Sequence, residues 1–412
     1  IPALIYMTQH EAKWTVKETK TTRAFHLGES GLDRGVFALN GISNGWNDAK
    51  NGIIPAGYTG TTEYTDIAGG KYKIKISSGP QANKVTIASI GKDEKTDELR
   101  GLKAIYSKEM AQASIESEGN IGSGGSFEIH WGPIKSEGNI NLTGAAVNRY
   151  YPRKYANGNI NPRNPPDSDE CEYWAKKGDI TIPEVLLSSY MAMAKAYSPS
   201  PENGTFTGTQ GGYLEGNWDA PVGFRDFEDG PLTVRGPGSQ EKIGVGTVPT
   251  YYITGNVSLR NNTFIKGNLI VMGNLDFQGS GWARTKADDV SPYYRVTVPI
   301  GAKKEYYHKA GCTHTTAQTV WNNKGWTEGN QATLDDIMVH GLVYVDGTIT
   351  SQTGNQGVVG VIIADGNAEN LSGNSVVYYY AAVSENIIYA SQKFDRESWK
   401  EFVPGSFSSP NW

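Results

Sequence analysis

The chain has 412 residues, 50 of them Gly and 19 Pro, with 38% apolar and 20% charged residues and a formal net charge of −5. That length suits one large core or two to three ordinary domains, and the composition argues against a coiled coil or helix bundle. The 23 Tyr, 11 Phe and 10 Trp argue against disorder, and the absence of a basic stripe against a nucleic-acid partner.

The first element is a helix over about residues 1–40. It opens on the apolar run Ile1–Met7, which reads as the end of a longer apolar segment lying upstream. Apolar or small residues recur at Phe25, Gly28, Leu32, Val36 and Leu39, one face at a 3-4 spacing. Gly28, Gly31 and Gly35 weaken a helix by ~1 kcal/mol each, yet permit close backbone approach. A surface helix and a helix packed against other helices both fit. The residues singled out for assembly are Leu4, Ile5, Phe25, Leu27, Gly28, Gly31, Leu32 and Gly35. Glu29 and Arg34 suit intermolecular salt bridges or a solvated face.

Residues 41–58 are Gly-, Asn- and Pro-rich and read as loop. Lys71–Ile76, Lys84–Gly91 and Leu102–Tyr106 alternate as half-buried strands and form an antiparallel sheet within 41–112. From residue 113 to 390 short Gly-polar-apolar units recur, among them Gly119-Asn120-Ile121, Gly138-Asn139-Ile140, Gly158-Asn159-Ile160, Gly255-Asn256-Val257 and Gly273-Asn274-Leu275. They fall about 18–19 residues apart with sub-steps of about 6, the period of a β-solenoid. Ordinary hairpins with Gly turns are the alternative. Two stretches, about 146–250 and 281–336, read as insertions, the first with a helix over Pro183–Tyr197. Residues 391–412 read as a tail. The fold expected is mainly β, with a long N-terminal helix, a small antiparallel sheet and then the solenoid.

Each insertion holds one cysteine, Cys171 and Cys312. They suit one disulfide or two buried thiols; two cysteines cannot build a disulfide scaffold. The acidic runs Asp167-Ser168-Asp169-Glu170 and Asp226–Asp229 are oxygen-rich, so Asp167, Asp169 and Glu170 are calcium candidates, with a solvated charge run as the commoner outcome. His308, Cys312 and His314 lack a fourth ligand for zinc. Asp335-Asp336 would need another carboxylate at the right separation for glycoside chemistry. No nucleophile elbow or P-loop is present, and no cofactor is expected.

Three segments carry a family resemblance. Arg23-Ala24-Phe25-His26-Leu27-Gly28-Glu29-Ser30-Gly31-Leu32-Asp33-Arg34 is similar to the A-F-x-L-A-E-S/A-G-L-x-x-A signature of type IV pilus minor-pilin-like (PilX-type) proteins. It departs at Gly28 and Gly35, where that family usually has Ala. His130-Trp131-Gly132-Pro133-Ile134, with Gly138-Asn139-Ile140 shortly after it, resembles the V-H-W-G-P-V and G-N-I elements of pilus-associated proteins with a β-solenoid tail. Tyr150–Lys154 is similar to the next segment of those proteins. The resemblance implies a non-enzymatic structural subunit of an extracellular, cell-surface filament. Its partners would be copies of itself or other pilins, and an upstream segment would sit in the inner membrane before assembly. A minor or tip pilin or adhesin, binding a surface or glycan through the insertions, is the alternative. A solenoid carbohydrate-active enzyme is the second.

Overall fold

Helix α1 spans Pro2–Gly41. Its side chains from Thr22 onward show one buried stripe: Ala24, Leu27, Gly28, Gly31, Leu32, Gly35 and Leu39. The structure, a computed structural model, describes residues 2–41, 45–80, 84–95, 97–108, 111–143, 153–161, 175–196, 206, 211–224, 249–281, 294–306, 315–334, 336–390 and 394–412. It is mainly β, with a few helices and several sheets. The chain divides into two units: unit 1 is Ile1–Glu109 with Gln392–Trp412, and unit 2 is Met110–Ser391.

In unit 1 the stripe of α1 lies on a five-stranded antiparallel sheet. Strands β1 (Thr59–Tyr64), β2 (Gly70–Ser78), β3 (Lys84–Asp93) and β4 (Leu99–Lys108) succeed one another in order, and the C-terminal strand Phe394–Phe402 pairs with β4. Tyr72, Ile74, Ile87, Leu102 and Ala104 fill the space between sheet and helix. The short helix α2 (Gly45–Lys50) adds Trp46, whose ring stacks on Phe394 at 4.8 Å. Two expectations are corrected here. The stretch 41–58 is not all loop, since it holds α2. Residues 391–412 are not merely a tail, since they supply the sheet's fifth strand.

Unit 2 is built from parallel ladders. One runs through backbone positions Ala175, Lys154, Ile134, Ile115, Ile362, Val343, Leu269, Tyr251 and Gly212. The other runs through Ile160, Ile140, Ile121, Ala368, Ile349, Leu275, Val257 and Trp218. Nearly all of these side chains are apolar and meet in one core. Rung order is not chain order. The chain enters in the middle at Ile115, builds outward to Ala175, resumes at the far end near Gly212, and returns until Ile362 pairs with Ile115. Rungs therefore occur inside the stretch read as a first insertion, at 153–161, 175–177 and 211–220. The helix there, α3, spans Leu187–Ala196 and buries Tyr190 and Ala194 among residues that include Tyr252, Ile270 and Tyr344. The second stretch holds a hairpin, Tyr294–Thr297 against Gln331–Leu334, and α4 (Thr315–Lys324).

Among the described residues a glycine, followed in most rungs by Asn, marks one corner of the rung. A Cβ on Gly255, Gly273, Gly347, Gly366, Gly119, Gly138 or Gly158 would stand 2.4–2.8 Å from the carbonyl oxygen of the corresponding Gly one rung back. Any other residue would force the rungs apart. The next residue completes the corner. The Asn120 Oδ1 accepts the Asn139 N–H at 2.8 Å, Asn139 accepts from Asn159 at 2.7 Å, and Asn256 accepts from Asn274 at 2.8 Å. Asn367 and Asn217 do the same for Asn120 and Asn256. Gly138→Ala is expected to destabilise unit 2 by ~1–3 kcal/mol through this overlap. Asn120→Ala should cost about 1 kcal/mol, for a lost acceptor at a partly solvated corner. Urea unfolding of the two variants checks both the size and the order.

Candidate functional site

The residues singled out for assembly separate into two groups. Leu4 and Ile5 lie in the first turns of α1, whose side chains up to Thr21 are outside the described residues. Leu27, Gly28, Gly31, Leu32 and Gly35 face the chain's own sheet. A Cβ on Gly35 would stand 2.7 Å from Ile87 Cγ2, and one on Gly31 would stand 2.0 Å from Ser89 Oγ and 3.1 Å from Tyr72 Cδ2. On Gly28 it would meet Leu102 at 3.3 Å. The glycines thus admit the helix to the sheet at close range, and a polar group at Leu32 would enter the core of unit 1. Phe25 sits on the flank of the stripe, half-buried, with its ring 6.0 Å from that of Trp399 in an edge contact.

The polar side of α1 is tied within the chain as well. Arg34 pairs with Asp66, donates to the Tyr72 hydroxyl at 3.1 Å and lies 4.1 Å over the Tyr64 ring. Glu29 meets His26 at 3.0 Å. The Tyr72 hydroxyl, with Arg34 behind it, holds the Asp66 carboxyl below the usual carboxylate range. Arg34 thus has a carboxylate partner, Asp66, within its own chain.

Unit 2 contains a buried polar cluster that sequence reasoning missed. His130 is fully enclosed. Its Nδ1 is 2.8 Å from the Tyr306 hydroxyl and its Nε2 is 3.0 Å from Glu128. Trp326 and Tyr378 flank the ring at 4.9 and 5.1 Å. Beside it, Arg153 donates through Nε to Glu305 at 2.6 Å and through a second nitrogen to the other oxygen. Both partners are almost wholly buried, so removing one would strand the other's charge. Burial pushes the Glu305 carboxyl up, against the pull of Arg153. This arrangement fastens the 294–306 segment to the ladders. His130 and Tyr306 are both sealed from solvent within it. The weak sequence signal was the shared aromatic richness of the two segments.

Cys171, Cys312, Asp167, Asp169, Glu170, His308, His314 and Asp335 lie outside the described residues. Among the described residues no group of three His, Cys, Asp or Glu is arranged to hold a metal. Among them also, no helix is long and apolar enough to cross a membrane.

No protein-family model and no curated protein matches the sequence. Among solved structures, the chain is similar to an ice binding protein from an Antarctic Biological Consortium, at 9% identity and TM-score 0.26, covering 65% of this chain and 87% of that one. It is also similar to the competence-associated pilin ComZ from Thermus thermophilus, at 12% identity and TM-score 0.22, covering 93% of this chain and 98% of that one. TM-scores this low carry no argument for a shared fold.

Two outcomes are expected from the geometry. Gly31→Val should lower the stability of unit 1 by ~1–3 kcal/mol, although helix propensity alone favours it. Thermal unfolding decides the sign. Burial pushes the His340 imidazole down to about 3, with Lys266 adding to the effect. His130 is lowered too, burial outweighing Glu128. Both bind a proton less readily in the fold than when unfolded. The His340 contribution is thus full above about pH 6.5 and is lost progressively as the pH falls toward about 3, and His130 acts in the same direction. Urea midpoints at about pH 7.5 and 5 should show the decline, and His340→Asn should flatten it.

Proposed function

We propose that this chain is a structural, non-enzymatic subunit of an extracellular type IV pilus-like filament, assembled through the first half of α1. In this reading the parallel ladders of unit 2 are the coils of a β-solenoid that the filament displays. The observation that carries the reading is a mismatch of lengths. At 1.5 Å per residue the 40 residues of α1 extend about 60 Å, whereas the ten residues of β4 extend about 34 Å. Described contacts between stripe and sheet fall between Ala24 and Leu39. The sheet is too short to cover the whole helix, and a neighbouring copy's helix or another pilin's is a natural cover for the remainder. The signature around Phe25–Leu32 supports the same reading.

A second reading, a minor or tip subunit or an adhesin for a surface or glycan, is favoured by the size of unit 2. It occupies most of the chain, between two strands of unit 1. Electron microscopy of fibres sheared from cells, with mass spectrometry of their subunits, separates the two. Fibres made mainly of this chain support a major subunit; trace amounts on fibres of another protein support the second reading. Leu4→Asp with Ile5→Asp should abolish incorporation while leaving the unfolding transitions of both units in place. Normal incorporation of that variant would overturn assembly through α1.

A further inference from the structure

The sheet of unit 1 has a second face, opposite α1. Cross-strand register places Lys75, Ala88, Lys103 and Lys400 in one row across β2, β3, β4 and the C-terminal strand. The α1-facing residues Ile74, Ile87, Leu102 and Ala104 have the opposite parity. Lys103 and Lys400 are therefore direct neighbours about 4.8 Å apart, and Lys75 lies two strands further on. None of the three has an acid partner among the described residues; Lys75 lies 6.0 Å from the Trp412 ring. Adjacent like charges at that spacing repel, so the row is a cationic strip in want of an anionic partner.

Unit 2 holds a surface with the same repeat and the opposite sign. Asp346, Asp365, Glu118 and Glu137 each precede the Gly of a corner. Asp365 N–H donates to Val345, Glu118 N–H to Ala364 and Glu137 N–H to Ser117, each bond joining one rung to the next. Four carboxylates therefore stand on consecutive rungs about 4.8 Å apart. Asp346 and Glu118 are exposed, and Glu184, also exposed, adds a fifth charge. Glu118 and Asp365 sit above the usual carboxylate range, from burial first and then from their acidic neighbours; Tyr344 donates to Asp365 in partial relief.

We propose that the Lys75–Lys103–Lys400 strip docks a second copy of this chain, through that copy's Asp346–Asp365–Glu118–Glu137 rungs. The two rows match because both repeat at the spacing between β-strands, and each relieves the other's repulsion. The patches differ, so the contact is heterologous: every copy offers one of each, and copies can add without closing a ring. The contact rests on the filament reading and extends it to a site outside α1. Lys400, Asp346 and Glu118 are exposed and the other members half-buried, so the contact weakens with salt, unlike apolar helix packing.

The test is a charge exchange in the full chain, read by light scattering or sedimentation at low and high salt (roughly 50 and 500 mM). Variant one carries Lys103→Glu and Lys400→Glu; variant two carries Asp346→Lys and Glu118→Lys. Each alone should lose self-association at low salt by about tenfold or more. An equal mixture should regain it, because the reversed strip of one now meets the reversed rungs of the other. Wild-type association of either variant alone would overturn the proposal, as would a mixture that fails to recover while both keep wild-type unfolding midpoints. If a reversal impairs folding, the milder Lys103→Gln with Lys400→Gln should flatten the salt dependence, and an unchanged dependence would count against the strip. Leu4→Asp with Ile5→Asp, run alongside, separates the two readings. Loss of association there at both salts, with no effect of the charge variants, leaves the helix reading standing and removes this one. The reverse pattern does the opposite.

Discussion

Unit 2 depends on how closely one rung can approach the next at the Gly-Asn corner. Parallel strands hydrogen-bond only at a spacing of about 4.8 Å, and a corner must keep that spacing while the chain changes direction. With 2.4–2.8 Å between a notional Cβ and the carbonyl behind it, only glycine meets the condition. The asparagine next to it lends its side-chain oxygen to a backbone N–H of the next rung, a donor the corner would otherwise leave unpaired. Thr348 breaks the asparagine run but not the ladder, because its N–H still reaches Asn274. Once the corners stack, the apolar column beside them is carried into register and the core forms.

Unit 1 uses glycine for a different purpose. Gly28, Gly31 and Gly35 are poor helix formers, and their gain lies in the third dimension: α1 settles onto Leu102, Ser89 and Ile87 with no side chain between. That closeness draws Arg34 down to Asp66 and Tyr72, so the polar flank is anchored together with the apolar one. The residues that looked best suited to binding another molecule are largely occupied in holding this one together.

Local periodicity made some of this legible in the sequence. The strands β2, β3 and β4 alternate cleanly, and their positions emerge from the pattern. The Gly-Asn corners were visible wherever Ile, Val or Leu came next. Gly216-Asn217-Trp218 escaped because an indole stands in that place, yet it is the same corner, with Trp218 in the same column. The C-terminal strand escaped for a sharper reason. Its register slips between Arg396 and Ser398, so the alternation that identifies a strand is broken at its centre. Rung order was beyond reach, since nothing local distinguishes a chain that starts its stack in the middle. The buried joint of His130, Tyr306, Arg153 and Glu305 was beyond reach too, because each bonded pair, His130 with Tyr306 and Arg153 with Glu305, is more than 150 residues apart.

Unit 2 is threaded between β4 and the strand that pairs with it, Phe394 standing opposite Lys108. For the antiparallel sheet, everything from Met110 to Ser391 is a single hairpin connection. Such a connection is tolerable only if its ends meet, and they do: the first rung pairs with one of the last, and the Ala111 N–H reaches the Tyr389 hydroxyl at 2.7 Å. The entropy of closing so long a loop is thereby absorbed in folding the unit itself. What the pairing of β4 with its partner strand requires of the chain between them is that it leave one strand and return to its neighbour, a condition on the two ends that sets no length for the stretch in between.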